Sequence, residues 1–280
     1  MGIQVKSEGT FNSAIVRETP LRWGDYSGAA TNNILVVRPR NGRGSMIDLS
    51  KSNVQFSDKG QPLFTENGVK GDNSNGFYST LTEPASFSML VTARLLAVAD
   101  LSGAGDIVGA GTYANEAGPD NDRGVLLGFS ATAPDGSNNV TVDGRIRYFD
   151  STKTPRALAI PLGLVMSKTA GTTSPWVMLA MTVDAVNERI IYQNPGNPAS
   201  IQTRQEAALS GLISNRARVS AGGVPNLFQV VSTLMNGTAP AGSKIEVAEV
   251  VIAGIMTQAQ INEQYALTKA GLAKWGQAVI

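Results

Sequence analysis

The sequence predicts an all-β protein, a sandwich or a barrel of short strands with one helix near its end. Three observations carry that reading. Turn-forming pairs recur about every ten residues, among them Asn41-Gly42, Asn67-Gly68, Asp135-Gly136, Asp143-Gly144, Pro195-Gly196 and Asn236-Gly237. The runs between them are short and rich in β-branched and aromatic residues. Helical patterns that would alternate with these runs in parallel β-α-β units are missing.

Taken in order, the first strand is Asn33-Ile34-Leu35-Val36-Val37, followed by Ser86 to Ala93 and Gly124 to Phe129. The stretch Ala97 to Gly111 is rich in Ala and Gly and reads as a strand end, a loop and a return strand. Arg145-Ile146-Arg147-Tyr148 alternates with period two, so the arginines face one way and Ile146 and Tyr148 the other. Trp176 to Val183 is apolar nearly throughout and suits a central strand covered on both faces. Glu188 to Tyr192 follows as its hairpin partner. Lys244 to Ile252 is the clearest strand, and simple alternation places Ile245, Val247 and Val251 near one face with Glu246 opposite. The helix begins after it. Thr257-Gln258-Ala259-Gln260 has the spacing of a capping box, and Ile261, Tyr265 and Thr268 or Leu272 fall near one helical face. Gly271 either ends the helix or sits inside it at a cost of about 1 kcal/mol. Residues 1–30 carry fewer strand signals and form an expected N-terminal arm, leaving 31–280 as the domain.

Composition narrows the chemistry. In 280 residues there are 23 Lys plus Arg against 22 Asp plus Glu, a formal net charge of +1, and no Cys or His. Disulfides, thiolate zinc sites, a Ser–His–Asp triad and an imidazole base are all excluded. Near-neutral charge and only 16% charged residues argue against a protein built to grip phosphate backbone. Arg38, Arg40 and Arg43 form a local basic turn, read as a solvated loop or a subunit contact, and the Gly runs lack nucleotide-binding spacing. No nucleic-acid partner and no membrane insertion are expected: the start lacks a signal-peptide pattern, and no apolar run nears the ~18 residues a span needs. Met1 and the closing motif lead to the expectation of a complete chain.

Three segments resemble the concanavalin A-like lectin/glucanase superfamily, especially its laminin-G-like branch. One is Ile245 to Ile252 followed by Met256-Thr257-Gln258-Ala259-Gln260-Ile261, similar to that family's last strand and short helix. Another is Pro175-Trp176 to Asp184 leading into Arg189-Ile190-Ile191-Tyr192-Gln193-Asn194-Pro195-Gly196, similar to its Trp-to-Asn-Gly hairpin with Pro195 intruding. The third runs from Phe64-Thr65-Glu66-Asn67-Gly68 to Phe87-Ser88-Met89-Leu90-Val91 and resembles the early strands. The resemblance spans residues 30 to 276 and implies a two-sheet antiparallel jelly-roll sandwich with one curved sheet, one short C-terminal helix and an irregular N-terminal arm.

Function does not follow from such a fold, so each site is weighed on its residues. The superfamily's retaining glucanases use a Glu-x-Asp-x-x-Glu strand that sets two carboxylates about 5 Å apart. That pattern does not occur in this chain. Glu246 and Glu249 are three positions apart and are expected on opposite faces, one solvated and one packed, so no enzyme is expected. Calcium, which many lectins of this fold hold on loop oxygens, has a candidate in the run Asn115-Glu116-Ala117-Gly118-Pro119-Asp120-Asn121-Asp122, and a weaker one in Asp135 to Asn139. The bland alternative for both is a polar turn. For a sugar, Tyr113 beside Asn115, Asp120, Asp122 and Arg123 is the best-placed aromatic in a chain with 6% aromatic residues. Trp23, with Arg38, Arg40 and Arg43, is the candidate subunit contact.

Domains similar to this branch occur in phage tail fibres, baseplates and head decorations. The resemblance, with no Cys and no signal-peptide pattern, implies a non-enzymatic bacteriophage virion protein made in the host cytoplasm. Its expected partners are other virion subunits, further copies of itself in a homo-oligomer, and a host-surface glycan. The alternative is a free carbohydrate-binding module or an inactive glycosidase relative.

Overall fold

Strand β17, Ile245–Ala253, runs through the centre of the protein and has all nine residues buried. A strand buried along its whole length must be covered on both faces, and it is. One face meets a second sheet and the other meets the C-terminal helix. The structure is a computed structural model; it describes residues 33–39, 41–50, 52–72, 75–96, 106–112, 114–115, 124–132, 136, 138–150, 152, 154–167, 172–207, 209, 227–231, 234–235 and 244–280.

The strands in chain order are β1 (Asn33–Val37), β2 (Phe56–Lys59), β3 (Leu63–Phe64), β4 (Val69–Gly71), β5 (Gly76–Thr82), β6 (Phe87–Leu95), β7 (Ile107–Gly111), β8 (Ala114–Asn115) and β9 (Val125–Ala131). They continue as β10 (Asn139–Phe149), β11 (Pro155–Ser167), β12 (Val177–Asp184), β13 (Arg189–Gln193), β14 (Gln202–Gln205), β15 (Leu227–Val230), β16 (Leu234–Met235) and β17. Helix α1 spans Gln258–Ala273. An eight-stranded sheet in the order β14-β13-β12-β6-β17-β4-β3, with β1 also on β17, carries the helix. Opposite it lies a seven-stranded sheet, β11-β10-β9-β7-β15-β5-β2. These are the helix-side sheet and the far sheet. Pairing within both is antiparallel, so the fold is an antiparallel two-sheet sandwich, as the turn spacing and the resemblance imply.

The main core fills the space between the sheets. Met89, Val91 and Ala93 of β6, Leu179 and Met181 of β12, and Val250 and Ile252 of β17 face Phe129, Ile146 and Tyr148 from the far sheet. Phe87 meets Phe228 edge-on at 5.3 Å. A second apolar layer lies between the helix-side sheet and α1, with Leu90, Met178, Ala180, Val251 and Ala253 against Ile261 and Leu272. β12 therefore buries both faces, as its apolar run predicts.

The helix starts as expected. The Thr257 hydroxyl accepts from the Gln260 amide, and Gln260 Oε1 accepts in return from the Thr257 amide at 2.8 Å, a complete capping box. Gly271 lies inside the helix rather than at its end. The buried face is Ile261, Gln264, Thr268 and Leu272, so two of its four positions are polar.

Simple alternation fails in β17. Val247 pairs with Ala93 but Glu249 pairs with Thr92, which leaves Ala248 as an extra residue, a β-bulge. Side chains beyond the bulge change face. Val251 consequently joins the helix layer, whereas Ile245 and Val247 face the main core. Glu246 and Glu249, expected on opposite faces, share the helix-side face, and neither is solvated. Among the described residues no helix is long and apolar enough to cross a membrane.

Candidate functional site

Carboxylates on the helix-side sheet are consumed by packing. Glu249 accepts from Arg38 Nε, from the Thr268 hydroxyl and from Gln264 Nε2 at 3.3 Å. Its side chain is 3% exposed and that of Arg38 is 12% exposed. Glu246 accepts from the Thr65 hydroxyl and from Arg94, Nε and Nη2 both at 2.7 Å. The Arg94 guanidinium in turn stacks 4.6 Å from the centroid of the Trp176 ring. Each carboxylate thus has a guanidinium beneath a cover of helix or indole, and neither has the open approach that general acid–base work on a polymer requires.

The far sheet is different. On β10, Ile146 and Tyr148 enter the core, so Arg145 and Arg147 project from the outer face, as the alternation predicts. Asp106, the residue before β7, is buried and lies between them: its Oδ1 is 3.3 Å from Arg145 Nε, and its Oδ2 contacts Arg147 Nε. The two arginine side chains keep 26% and 32% of their surface exposed. Burial pulls the Arg147 guanidinium below its ordinary value. Asp106 is the one carboxylate paired with these arginines among the described residues. Asp143, on the same face of β10, accepts instead from the Leu162 amide at 3.3 Å.

Register sets what flanks the pair. Arg147 sits between Ala157 of β11 and Leu126 of β9, and Arg145 between Ala159 and Gly128. Ala157 and Ala159 are exposed and short, so the arginines border an open shelf on the β11 side. On the β9 side Val108, Leu126 and Phe149 form a small buried cluster. Gly128 cannot be enlarged, because a Cβ there would lie 2.1 Å from the Ile107 carbonyl oxygen.

The sequence-predicted ligand residues fall between β7 and β9, and the ends of that connection are well held. The Thr112 amide donates to the Val125 carbonyl at 2.8 Å, and the Val125 amide donates to the Thr112 hydroxyl at 3.1 Å. These ends lie one position beyond the Gly111–Leu126–Arg147 row, so the connection departs beside the arginine shelf. Tyr113, Asp120, Asp122 and Arg123 lie outside the described residues, as do Trp23 and Arg40. Asn115 is in β8, whose backbone pairs with Met235. Arg43 opens a 3-10 turn, Arg43–Ser45, and Arg38 points inward to Glu249. Among the described residues no group of three or more acidic side chains gathers as a metal site. In the sequence, Arg145 and Arg147 mark only the alternation of a strand. Their partner Asp106 is remote in the chain, and only the pairing of β7, β9 and β10 brings the three together.

No protein-family model matches the chain, and no curated protein sequence matches it. Solved structures do. The botulinum neurotoxin serotype D binding domain overlays with a TM-score of 0.52 at 12% identity, over 84% of this chain and 50% of that one. The binding domain of Paraclostridial Mosquitocidal Protein 1 overlays at 0.50 and 12% identity, over 85% and 52%. The fold is an antiparallel two-sheet sandwich similar to that of these binding domains. A carbohydrate-binding module, the CBM40 of the Ruminococcus gnavus IT-sialidase solved with α2,3-sialyllactose, overlays less well, at 0.44 and 12% identity over 71% and 96%. The chain spans about half the length of the two toxin domains, and identity this low speaks to the fold alone.

Proposed function

We propose that the protein is a non-catalytic, lectin-like binding module of a bacteriophage particle that engages a host-surface glycan through the outer face of its far sheet. The observation that carries the binding reading is the accessible Arg145–Arg147 shelf, polar groups held on a rigid strand with small neighbours that leave them open. The burial of both β17 glutamates under arginine supports a non-enzymatic role. The phage setting rests on the sequence resemblance and the absence of Cys. The test is a glycan array read with the wild-type chain and with Arg147→Ala: binding lost in the variant supports the reading, and an array with no bound glycan overturns it.

One feature favours a second role, cementing of neighbouring subunits. β11 is a thirteen-residue strand at the edge of the far sheet, and Val165 on it is 62% exposed. An edge this long is a template for pairing with another chain. In this reading the protein is a homo-oligomer in the virion, and light scattering that finds only monomer at high concentration counts against it.

A further inference from the structure

We propose that the Arg145–Arg147 pair is a receptor for a singly charged oxyanion on an acidic glycan, a sugar carboxylate or a sulfate ester. This rests on the glycan-binding reading and specifies the ligand class of the same face. The argument is one of charge and of unfilled donors. Two guanidiniums lie two positions apart on one strand face, about 7 Å along the backbone, where they repel each other unless an anion lies between them. Asp106 supplies one such anion, from below and toward the two Nε atoms. One positive charge is left over among these three residues. No described residue forms a hydrogen bond to the remaining guanidinium nitrogens of either arginine. Asp143 is the other carboxylate on this face of the strand, and it is turned to the Leu162 amide.

A surplus of one charge matches a monoanion better than a doubly charged phosphate. Guanidinium forks present paired N–H donors to planar oxyanions. The Asp106 carboxylate lies against both Nε atoms as a charge contact rather than a hydrogen bond, and it leaves the outer guanidinium nitrogens to a ligand. Ala157 and Ala159 place no bulk above the forks on the β11 side.

The test uses an array carrying uronic-acid oligosaccharides, the same oligosaccharides as methyl esters, and their sulfated counterparts. It is read with the wild-type chain, Arg147→Gln and Ala157→Glu. Ala157 is exposed and directly across from Arg147, so glutamate there supplies a built-in competing carboxylate with no loss of core packing. The expected result is retention of free acids or sulfates over methyl esters by at least about tenfold, weaker at high salt, and lost in both variants. An unchanged melting temperature in Ala157→Glu separates this loss from misfolding. Preference for uronates or for sulfates identifies the source of the anion. Equal binding of acids and esters, or full binding by Ala157→Glu, overturns the inference while leaving glycan binding in place. No binding of any glycan, neutral or acidic, refutes the underlying reading and the inference with it.

Discussion

Replacing Glu249 with leucine tests the placement that sequence alternation missed. In the structure this carboxylate is 3% exposed and receives the Arg38 guanidinium, the Thr268 hydroxyl and the Gln264 amide. Leucine fills a similar volume but takes the carboxylate away from all three donors. Breaking a buried ion pair from one side costs about 3–5 kcal/mol, because the surviving charge keeps its desolvation penalty. Arg38 retains 12% of its side-chain surface and can turn partly toward water, which places the expected loss near the lower end, about 3 kcal/mol. For a domain of this size that corresponds to a drop in Tm of about 6–12 °C. Adding Arg38→Met removes the buried charge that has lost its carboxylate, so the double variant is expected to be more stable than Glu249→Leu alone. Urea unfolding followed by tryptophan fluorescence reads the wild type, both single variants and the double variant, and Trp176 is a buried reporter within the same layer. Had Glu249 pointed into solvent, the substitution would cost within about 0.5 kcal/mol. A loss below 1 kcal/mol for the single variant, or a double variant whose losses simply add, would refute the bulged geometry and the pairing it creates.

Three further outcomes follow from single residues. Gly271→Ala is expected to stabilise the protein by about 0.5–1 kcal/mol, since the position is inside α1 and a Cβ there meets only the Arg38 guanidinium at 3.8 Å; a lowered Tm would contradict this. Gly128→Ala forces a Cβ against the Ile107 carbonyl and is expected to cost about 1–3 kcal/mol, measured by urea unfolding, with an unchanged midpoint as the contrary result. Asp150 governs part of the acid stability. Burial alone would raise its pKa, but hydrogen bonds from Thr152, Thr154 and Arg156 outweigh that and hold it at about 2 against an ordinary 3.8. Because the folded state binds this proton less readily, the stability it contributes is present above about pH 4 and is lost as pH falls toward 2. Asp150→Asn should therefore flatten the fall in Tm over that window, and an unchanged slope would show that Asp150 contributes nothing there.

Much of the sandwich was legible because local pattern and tertiary environment agree. The apolar run of β12 is buried on both faces, and the Arg-Ile-Arg-Tyr alternation of β10 separates core from surface as read. The capping box of α1 is a local device that needs no distant partner. Other elements were hidden for identifiable reasons. β11 contains Pro155, Pro161 and Gly163, which erase a strand signal. They are tolerated because this is an edge strand, with a register shift between Val142 and Gly144 on its partner β10. Gln264 occupies a buried position of the helix that no hydrophobic pattern flags, because with Thr268 it answers a carboxylate rather than an apolar surface. The bulge at Ala248 adds one residue to a strand whose composition gives no sign of it, and that single insertion reverses the face of everything beyond it.

The contrast between the two outer faces is what gives the arginine shelf its meaning. On the helix-side sheet Arg38 pairs with Glu249 and Arg94 with Glu246, charge for charge, under a helix and an indole ring. The hairpins follow the same rule, with Arg156 on Asp150 and Arg189 on Asp184. Among the described residues, Arg38, Arg94, Arg156 and Arg189 are each matched by a carboxylate of their own, which is what stability alone would select. Arg145 and Arg147 depart from that rule by sharing Asp106. If folding were their only task, an apolar or neutral residue at either position would remove the repulsion and leave Asp106 paired. Local departures of this kind concentrate where a protein meets something else. The direct check is Arg145→Thr in the free protein: a gain in Tm, with loss of acidic-glycan binding, is the expected trade of stability for recognition, whereas a loss of both would make the second arginine a structural partner of Asp106.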